Sequence, residues 1–420
     1  MSLSRKQFLR FLGIGGLAAG TFGPERLAAA IGAGAKTGAA AGTSATAAPT
    51  GSTGLSKHKI KEIEIYALDV PLVAPFRISI GEMSAANDVL VRVRTDTGLT
   101  GIGEACPFPP ITGETQATNI AAAKAIRDML IGRDPLAIDA ILRQIGAIVH
   151  SNPSAVAAFE MACFDILGQA AGLPLYRLLG GTKSTFESDI TTGIDTPEVM
   201  AAGAGKHAGM GYKTLKVKIG LDPGQDFERL RAVRQAVGDG ITLRIDANQG
   251  YTVPQAIYAL KKIEPLRIQL VEQPVLASDI SGLKAVRAES PIPIMADEAC
   301  FLPADALKLV RAEACDFMNI KIMKAGGILN AVRIAHIADA ANMRCMVGCM
   351  LETRIALTAA AHVVASQANI VYADLDGNAE HTADPVIGGM TTKAGIVTMP
   401  ETPGLGCDID PAFLKKMVKV

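Results

Sequence analysis

Along most of this chain, short apolar runs end on a charged or polar residue and give way to longer stretches in which apolar residues recur every three or four positions. In ITLRIDANQGY (residues 241–251), Thr242, Arg244, Asp246 and Asn248 alternate with Leu243, Ile245 and Ala247, the pattern of a short strand with one polar face. A turn follows, and Pro254 opens a helix striped by Ile257, Leu260 and Ile263. About 26 residues later IQLVEQP ends its apolar run on Glu272, and about 25 after that PIMADEA ends on Asp297. TLKVKIG lies about 28 residues before Asp246 and NIKIMKAGG about 27 after Asp297. ESDITTG begins the series; CMVGCMLET and VYADLDGNA close it. Eight strand-like runs with helical segments between seven of them, repeating every 25 to 28 residues, predict an α/β fold, a (β/α)7β TIM-like barrel over residues 183–380.

The polar residues that end these runs carry the candidate chemistry. A single aspartate before a helix reads most simply as a cap. Asp246, Glu272 and Asp297 occupy equivalent points of three successive units, so they converge on one axis and repel unless a cation lies among them. All-oxygen ligands with no His or Cys nearby favour Mg2+, with Mn2+ as the substitute, over zinc. Lys216 and Lys218 share a strand face on one side of this trio, and Lys321 and Lys324 are offered on the other. A buried ammonium must be paired or lose its proton, so the lysines are either counter-ions or groups that face a cation-held substrate from two sides. Asp374 and Asp376, two apart on the last strand, either form a turn pair ahead of Gly377 or face the mouth together, where they need a cation between them.

A separate α+β segment precedes the barrel over residues 57–182. Residues 60–70, 88–95 and 100–105 alternate as strands, and 121–131, 138–148 and 156–170 read as apolar-striped helices. The tail over 381–420 reads as turns and short strands. Residues 1–35 differ from all of this: Ser4-Arg5-Lys6-Gln7-Phe8-Leu9 is a basic opening followed by a Gly-rich apolar stretch and small residues, the pattern of an export signal. It resembles a twin-arginine signal in which Lys6 replaces the second arginine, and it predicts an exported, periplasmic protein. Residues 36–56, rich in Ala, Gly, Ser and Thr, read as a disordered linker.

Composition narrows the classes. With 420 residues, 49% hydrophobic and a formal net charge of zero, there is ample core and no basic surplus for nucleic acid. No stable membrane insertion is expected once the signal is removed, and a homo-oligomer is compatible with the composition. Seven cysteines without a Cys-x-x-Cys pair do not suggest a disulfide framework. His336 and His362 lack a partner at metal-site spacing and read as packing residues.

Taken in order, KVK, DANQGY, VEQP, ADE, KIMKAGG, GCMLET and DLDG resemble the muconate lactonising subgroup of the enolase superfamily, and within it dipeptide epimerases of the L-Ala-D/L-Glu type. The resemblance runs from about residue 60 to the C-terminus. It implies a capping domain, formed by residues 57–182 and the returning tail, whose loops over 73–84 and 108–114 close on the barrel mouth. It implies that Asp246, Glu272 and Asp297 hold Mg2+, that Lys218 and Lys324 are the acid/base pair, and that Lys216 helps stabilise the enolate. Asp374 and Asp376 match the pair that binds a dipeptide's α-ammonium, and Thr191 is placed near the substrate. Relatives that prefer glutamate carry an arginine in the first cap loop; counting from Pro75 and Phe76, that position is Gly81 here, so an apolar or small C-terminal residue is expected as readily as Glu. The implied reaction is epimerisation of a dipeptide by 1,1-proton transfer. The alternatives are a cycloisomerase or o-succinylbenzoate synthase-like dehydratase of the same superfamily and, outside enzymes, an exported solute-binding protein.

Overall fold

Alternating burial along the first described segment builds the cap. The computed structural model describes residues 58–420; the signal and linker expected over residues 1–56 lie outside them. β1 (Ile60–Ile78), β2 (Gly81–Thr95) and β3 (Thr100–Ala105) form an antiparallel sheet that buries Ile63, Ile65, Leu68, Val89, Val91 and Val93. β1 and β2 continue well past the expected strands as one long hairpin, pairing Phe76 with Met83, Arg77 with Glu82 and Ile78 with Gly81. Pro75 falls in the expected loop, but an irregularity between Pro71 and Phe76 absorbs it before the ladder resumes. Val418 and Lys419 pair with β1, so the tail returns to the cap as expected.

Three helices cover this sheet: α1 (Gln116–Leu130), α2 (Ile138–Ile148) and α3 (Pro153–Ala171). Thr115 caps α1 with a reciprocal Thr118 bond, and Gly172, in the left-handed region at φ 69°, ends α3. By length and composition alone α3 could cross a membrane, yet 72% of that window is buried inside the protein. It is buried on most of its faces because it lies against the cap sheet and the barrel helices. Gly101 and Gly103, two apart on β3, make the sheet contact so close that a Cβ on Gly103 would lie 1.9 Å from the Ala158 carbonyl oxygen, and one on Gly101 2.0 Å from that of Ala162.

The barrel strands are β4 (Ile190–Thr192), β5 (Thr214–Lys218), β6 (Thr242–Asp246), β7 (Ile268–Glu272), β8 (Ile294–Ala296), β9 (Phe317–Ile320), β10 (Arg344–Gly348) and β11 (Ile370–Asp374). They pair in parallel and in chain order, and Asp189 N–H donates to Ala373 O at 3.1 Å to bring the last strand beside the first. Between them lie α4 (Pro197–Gly209), α5 (Pro223–Val237), α6 (Val253–Ile263), α7 (Ile280–Glu289), α8 (Pro303–Ala312), α9 (Ile328–Ala340) and α10 (Arg354–Ser366). Four of the seven carry a proline at their first or second position, where its missing N–H leaves no bond unmade. Buried His362 satisfies both ring nitrogens, accepting from Tyr176 N–H at 3.0 Å and meeting Leu405 O at 3.1 Å, so it packs as expected.

The Gly103 contact sets a stability test. Gly103→Ala must push β3 and α3 apart and is expected to cost about 1–3 kcal/mol or more in urea unfolding. Gly146→Ala, on α2 with nothing within 4 Å of its added carbon, should instead stabilise by up to about 1 kcal/mol.

Candidate active site

Strand alternation decides which side chains reach the barrel mouth. Lys216 and Lys218 lie two apart on β5; Asp246 ends β6, Glu272 ends β7, and Asp297 directly follows β8. The parallel register pairs Lys218 with Asp246 and Asp246 with Glu272, which sets these groups level with one another. On β9, Asn319 points inward, and the same period carries Lys321, the first residue beyond the strand, inward too. Asp374 ends β11 and Asp376 follows two residues on.

Each of Asp246, Glu272 and Asp297 offers an oxygen within 4.8 Å of the others, and all three are buried. Lys216 Nζ sits among the carboxylates, 3.1 Å from Asp246, 2.9 Å from Glu272 and 2.8 Å from Asp374. Lys218 Nζ donates to Asp246 Oδ2 at 2.7 Å and to Asn248 Oδ1 at 3.0 Å, and Lys321 Nζ donates to Asp297 Oδ2 at 2.9 Å. Burial alone would push Asp246 up, but Lys218 and Lys216 outweigh it and hold the carboxyl below its usual range. Asp297 is lowered likewise, burial being overcome by Lys321 and Lys324.

Glu272 is the exception, because burial and then the Asp246 charge push it up to about 8. Its Oε2, although 2.9 Å from Lys216 Nζ, receives no aligned hydrogen bond. The lysines therefore leave the trio short of positive charge. Three converging buried oxygens with one carboxylate under-neutralised fit a hard divalent cation.

On the other side of Lys216, the two aspartates of the last strand differ. Burial opposes the charge on Asp374, but Lys216 prevails and lowers it to about 2. Burial, then the neighbouring Asp374, raise Asp376 to about 6. Asp376 Oδ2 accepts from Thr191 N–H at 2.6 Å and its Oδ1 from the Cys349 thiol at 3.5 Å, while Asp374 Oδ1 is buried with no donor. That oxygen is available to a ligand cation.

Lys216, Lys218, Lys321, Asp374 and Asp376 line one cavity of about 30 Å3 together with Phe76, Ile78, Phe108, Ile111 and Met350. The cap supplies four of these five apolar residues, from the two loops expected to close on the mouth. Thr191 is in place beside Asp376. Two sequence expectations are corrected. Lys324 does not line the mouth: it lies on the helical turn Ile322–Ala325, 0% exposed, and its Nζ is taken up by Asp297 and the carbonyl oxygens of Asp297, Cys300 and Asn319. Lys321 is the lysine that faces the cavity from that side. Gly81 is not in the wall either; it closes the β1–β2 hairpin, where an added Cβ would lie 2.9 Å from Pro110 Cγ. Arg77 nearby is exposed and paired with Glu82 on the hairpin, and is not among the residues that line the cavity. Period-two alternation from Asn319 favours Lys321 over Lys324, and the same alternation from Asp246 reaches Asn248, whereas Cys349 had no comparable signal.

Residues 61–180 match the model of the mandelate racemase / muconate lactonizing enzyme N-terminal domain, and residues 199–413 that of the enolase C-terminal domain-like family. The chain is 42% identical to the L-Ala-D/L-Glu epimerase of Clostridium acetobutylicum over 83% of its length and 98% of that protein. It is also 42% identical to the hydrophobic dipeptide epimerase of Enterococcus faecalis, over 83% and 99% respectively. The crystal structure of the dipeptide epimerase from Cytophaga hutchinsonii, complexed with Mg and D-Ala-L-Val, superposes with a TM-score of 0.85 at 41% identity, covering 86% of this chain and 99% of that one.

The two lysines of KIMK separate in measurement. Lys324→Ala strips a buried charge from four oxygen partners and is expected to cost about 3–5 kcal/mol of unfolding stability. Lys321→Ala should keep most of that stability and instead lower turnover by about 100-fold or more.

Proposed function

The chain belongs to the mandelate racemase / muconate lactonizing enzyme group of the enolase superfamily, and from that membership we propose that it is a Mg2+-dependent dipeptide epimerase, inverting the α-carbon of the C-terminal residue. The observation that carries this reading is the placement of Lys218 and Lys321 on opposite sides of the carboxylate trio, in a cavity that also holds Asp374 and Asp376. A Lys or His base beside one or two Mg2+ ions is the known pattern of this superfamily.

Asp246, Glu272 and Asp297 would hold the cation, which when bound supplies positive charge to offset the negative charge the substrate carboxylate gains as its α-proton leaves. Lys218 or Lys321 takes that proton from one face, and the other returns one to the opposite face, so the centre inverts; in the reverse direction the roles exchange. Two bases are required, since a single one would return the proton to the face it came from. Lys216, fixed among Asp246, Glu272 and Asp374, keeps a positive charge at the centre; burial works against it, but those carboxylates hold its ammonium well above its usual pKa. Asp374 and Asp376 bind the substrate's α-ammonium, and the donorless Asp374 Oδ1 favours this over cycloisomerase or dehydratase substrates, which carry no such cation. A solute-binding protein would have no use for lysines on both sides of a carboxylate trio.

The substrate side chains meet Phe76, Ile78, Phe108, Ile111 and Met350, and the cavity's cations are Lys216, Lys218 and Lys321 alone. With Arg77 engaged by Glu82, no cavity-lining cation remains for a distal carboxylate. Apolar dipeptides are therefore the preferred class, in keeping with the E. faecalis relative's name. The cavity has room for about two waters, so the cap residues over the mouth must part to admit a dipeptide. The pattern of residues 1–35 supports export to the periplasm, where short peptides from the cell wall would be available.

Proton NMR in D2O with Mg2+ and a set of L,L-dipeptides tests the reaction. Loss of the C-terminal α-proton signal and growth of the second diastereomer are expected, with kcat/KM for an apolar C-terminal residue at least about tenfold above that for Glu. A folded protein that binds Mg2+ yet exchanges no dipeptide would sink the reading. For export, replacing Arg5 and Lys6 together by Gln should retain the full chain in the cytoplasm of a bacterial host, as read by cell fractionation.

A further inference from the structure

We propose that Asn248, itself held by Glu298, is a positioning residue that aims Lys218 Nζ into the cavity, an arrangement Lys321 does not share. The inference rests on the epimerase reading of this site.

Asn248 is 1% exposed and lies in the left-handed region at φ 39°, a conformation that Asn tolerates better than most residues. Its backbone N–H donates to Asp246 Oδ1 at 2.9 Å, which turns the side chain back across the strand end toward Lys218. The amide then spans two groups of opposite need. Its Oδ1 accepts from Lys218 Nζ at 3.0 Å and its Nδ2 donates to Glu298 Oε1 at 3.0 Å. Glu298 is buried beside the trio and, whenever it is ionised, can only accept from the amide, so the flipped orientation would then place N–H groups against the lysine and an oxygen against the carboxylate. The orientation is thus fixed by chemistry at both ends.

The consequence falls on the lysine. Lys218 Nζ has three positions besides its bond to carbon, and two of them are directed at acceptors, Asp246 Oδ2 at 2.7 Å and Asn248 Oδ1 at 3.0 Å. The third is left for the cavity that Lys218 lines. It carries a lone pair when the amine is neutral and an N–H when it is charged, so the same direction serves proton removal and proton return. Lys321 Nζ has one such hydrogen bond, to Asp297 Oδ2 at 2.9 Å. The two halves of the reaction are therefore unequally preorganised, and loss of Asn248 should damage one half more than the other.

The test reads each half separately. α-Proton exchange into D2O is followed at early times from each pure epimer of one dipeptide, with wild type, Lys218→Ala, Asn248→Gly, Glu298→Leu and Glu298→Gln. Glycine accepts φ 39° and keeps the backbone N–H, so Asn248→Gly removes only the amide. Lys218→Ala identifies the epimer whose α-proton faces Lys218. For that epimer, Asn248→Gly and Glu298→Leu are expected to slow exchange by about 10- to 100-fold while the other epimer changes by less than about threefold. Glu298→Gln, which keeps a carbonyl acceptor for the amide, should restore most of the rate. Thermal shift on adding Mg2+ monitors the folded metal site independently of activity, and each variant should retain it. Equal slowing of both epimers, or no slowing by either Asn248→Gly or Glu298→Leu, overturns the proposal. Absence of dipeptide exchange in the wild-type protein overturns the epimerase reading beneath it, which is a distinguishable result.

Discussion

Three carboxylates held against one another inside a protein are the constraint to which the rest of this structure answers. Each would cost several kcal/mol to bury unpaired, and mutual repulsion adds to that cost. The chain responds with a ring of groups whose roles are hard to separate. Lys216 touches Asp246, Glu272 and Asp374, and Lys321 touches Asp297. Asn319 Nδ2 donates to Glu272 Oε1 at 2.8 Å, and Gln273 Oε1 accepts the Asp297 N–H at 2.9 Å. Lys324, from beneath, fixes the Asp297 backbone as well as its side chain. These partners come from the barrel strands or the first few residues beyond them, so the barrel's parallel register is what brings the cluster together.

The cap is joined to the barrel by the same kind of group used differently. Glu160 of α3 accepts the N–H groups of Ile328 and Leu329 at the start of α9. Glu104 of β3 accepts from Thr353 N–H and Oγ at 2.8 Å and from Ala356 N–H at 2.9 Å at the start of α10. The first N–H groups of a helix are unpaired within it, and its dipole favours negative charge there, so each carboxylate satisfies several donors at once. Gly327 is required for the first of these joints, because a Cβ there would lie 1.8 Å from Glu160 Oε2. Two barrel helices are thereby pinned to the domain that carries the lid over the mouth.

What the sequence disclosed follows from how local each signal is. The barrel was legible because its repeat is long and marked at every strand end by a polar residue, and Asp246, Glu272, Asp297, Lys216, Lys218, Asp374 and Asp376 all arrive where the repeat put them. KIMK was ambiguous, since a spacing of three suits a helix and a spacing of two suits a strand; β9 ends at Ile320, so Lys321 keeps the strand's parity and Lys324 falls on the helical turn. Gly81 was misplaced by counting through residues 73–84 as a loop, when half of them pair in a hairpin. The apolar wall draws on Phe76, Ile78, Phe108 and Ile111, more than 100 residues before most of the groups they face, and no local pattern could relate them.

That hairpin also explains why the DANQGY turn is built as tightly as it is. Ser79, at the hairpin tip, donates its hydroxyl to Ala247 O at 2.8 Å and Asn248 O at 2.9 Å. The turn beneath it is packed backbone to backbone against the one after β5: a Cβ on Gly220 would lie 2.3 Å from Ala247 O, and one on Gly250 2.1 Å from Gly220 O. Asn248 therefore has its carbonyl on the lid, its N–H on Asp246 and its side chain on Lys218. When the hairpin is seated, the residue that orients the lysine is held from above as well as from its sides. The cap hairpin and the proton-transfer lysine thus meet at a single residue of the turn between them.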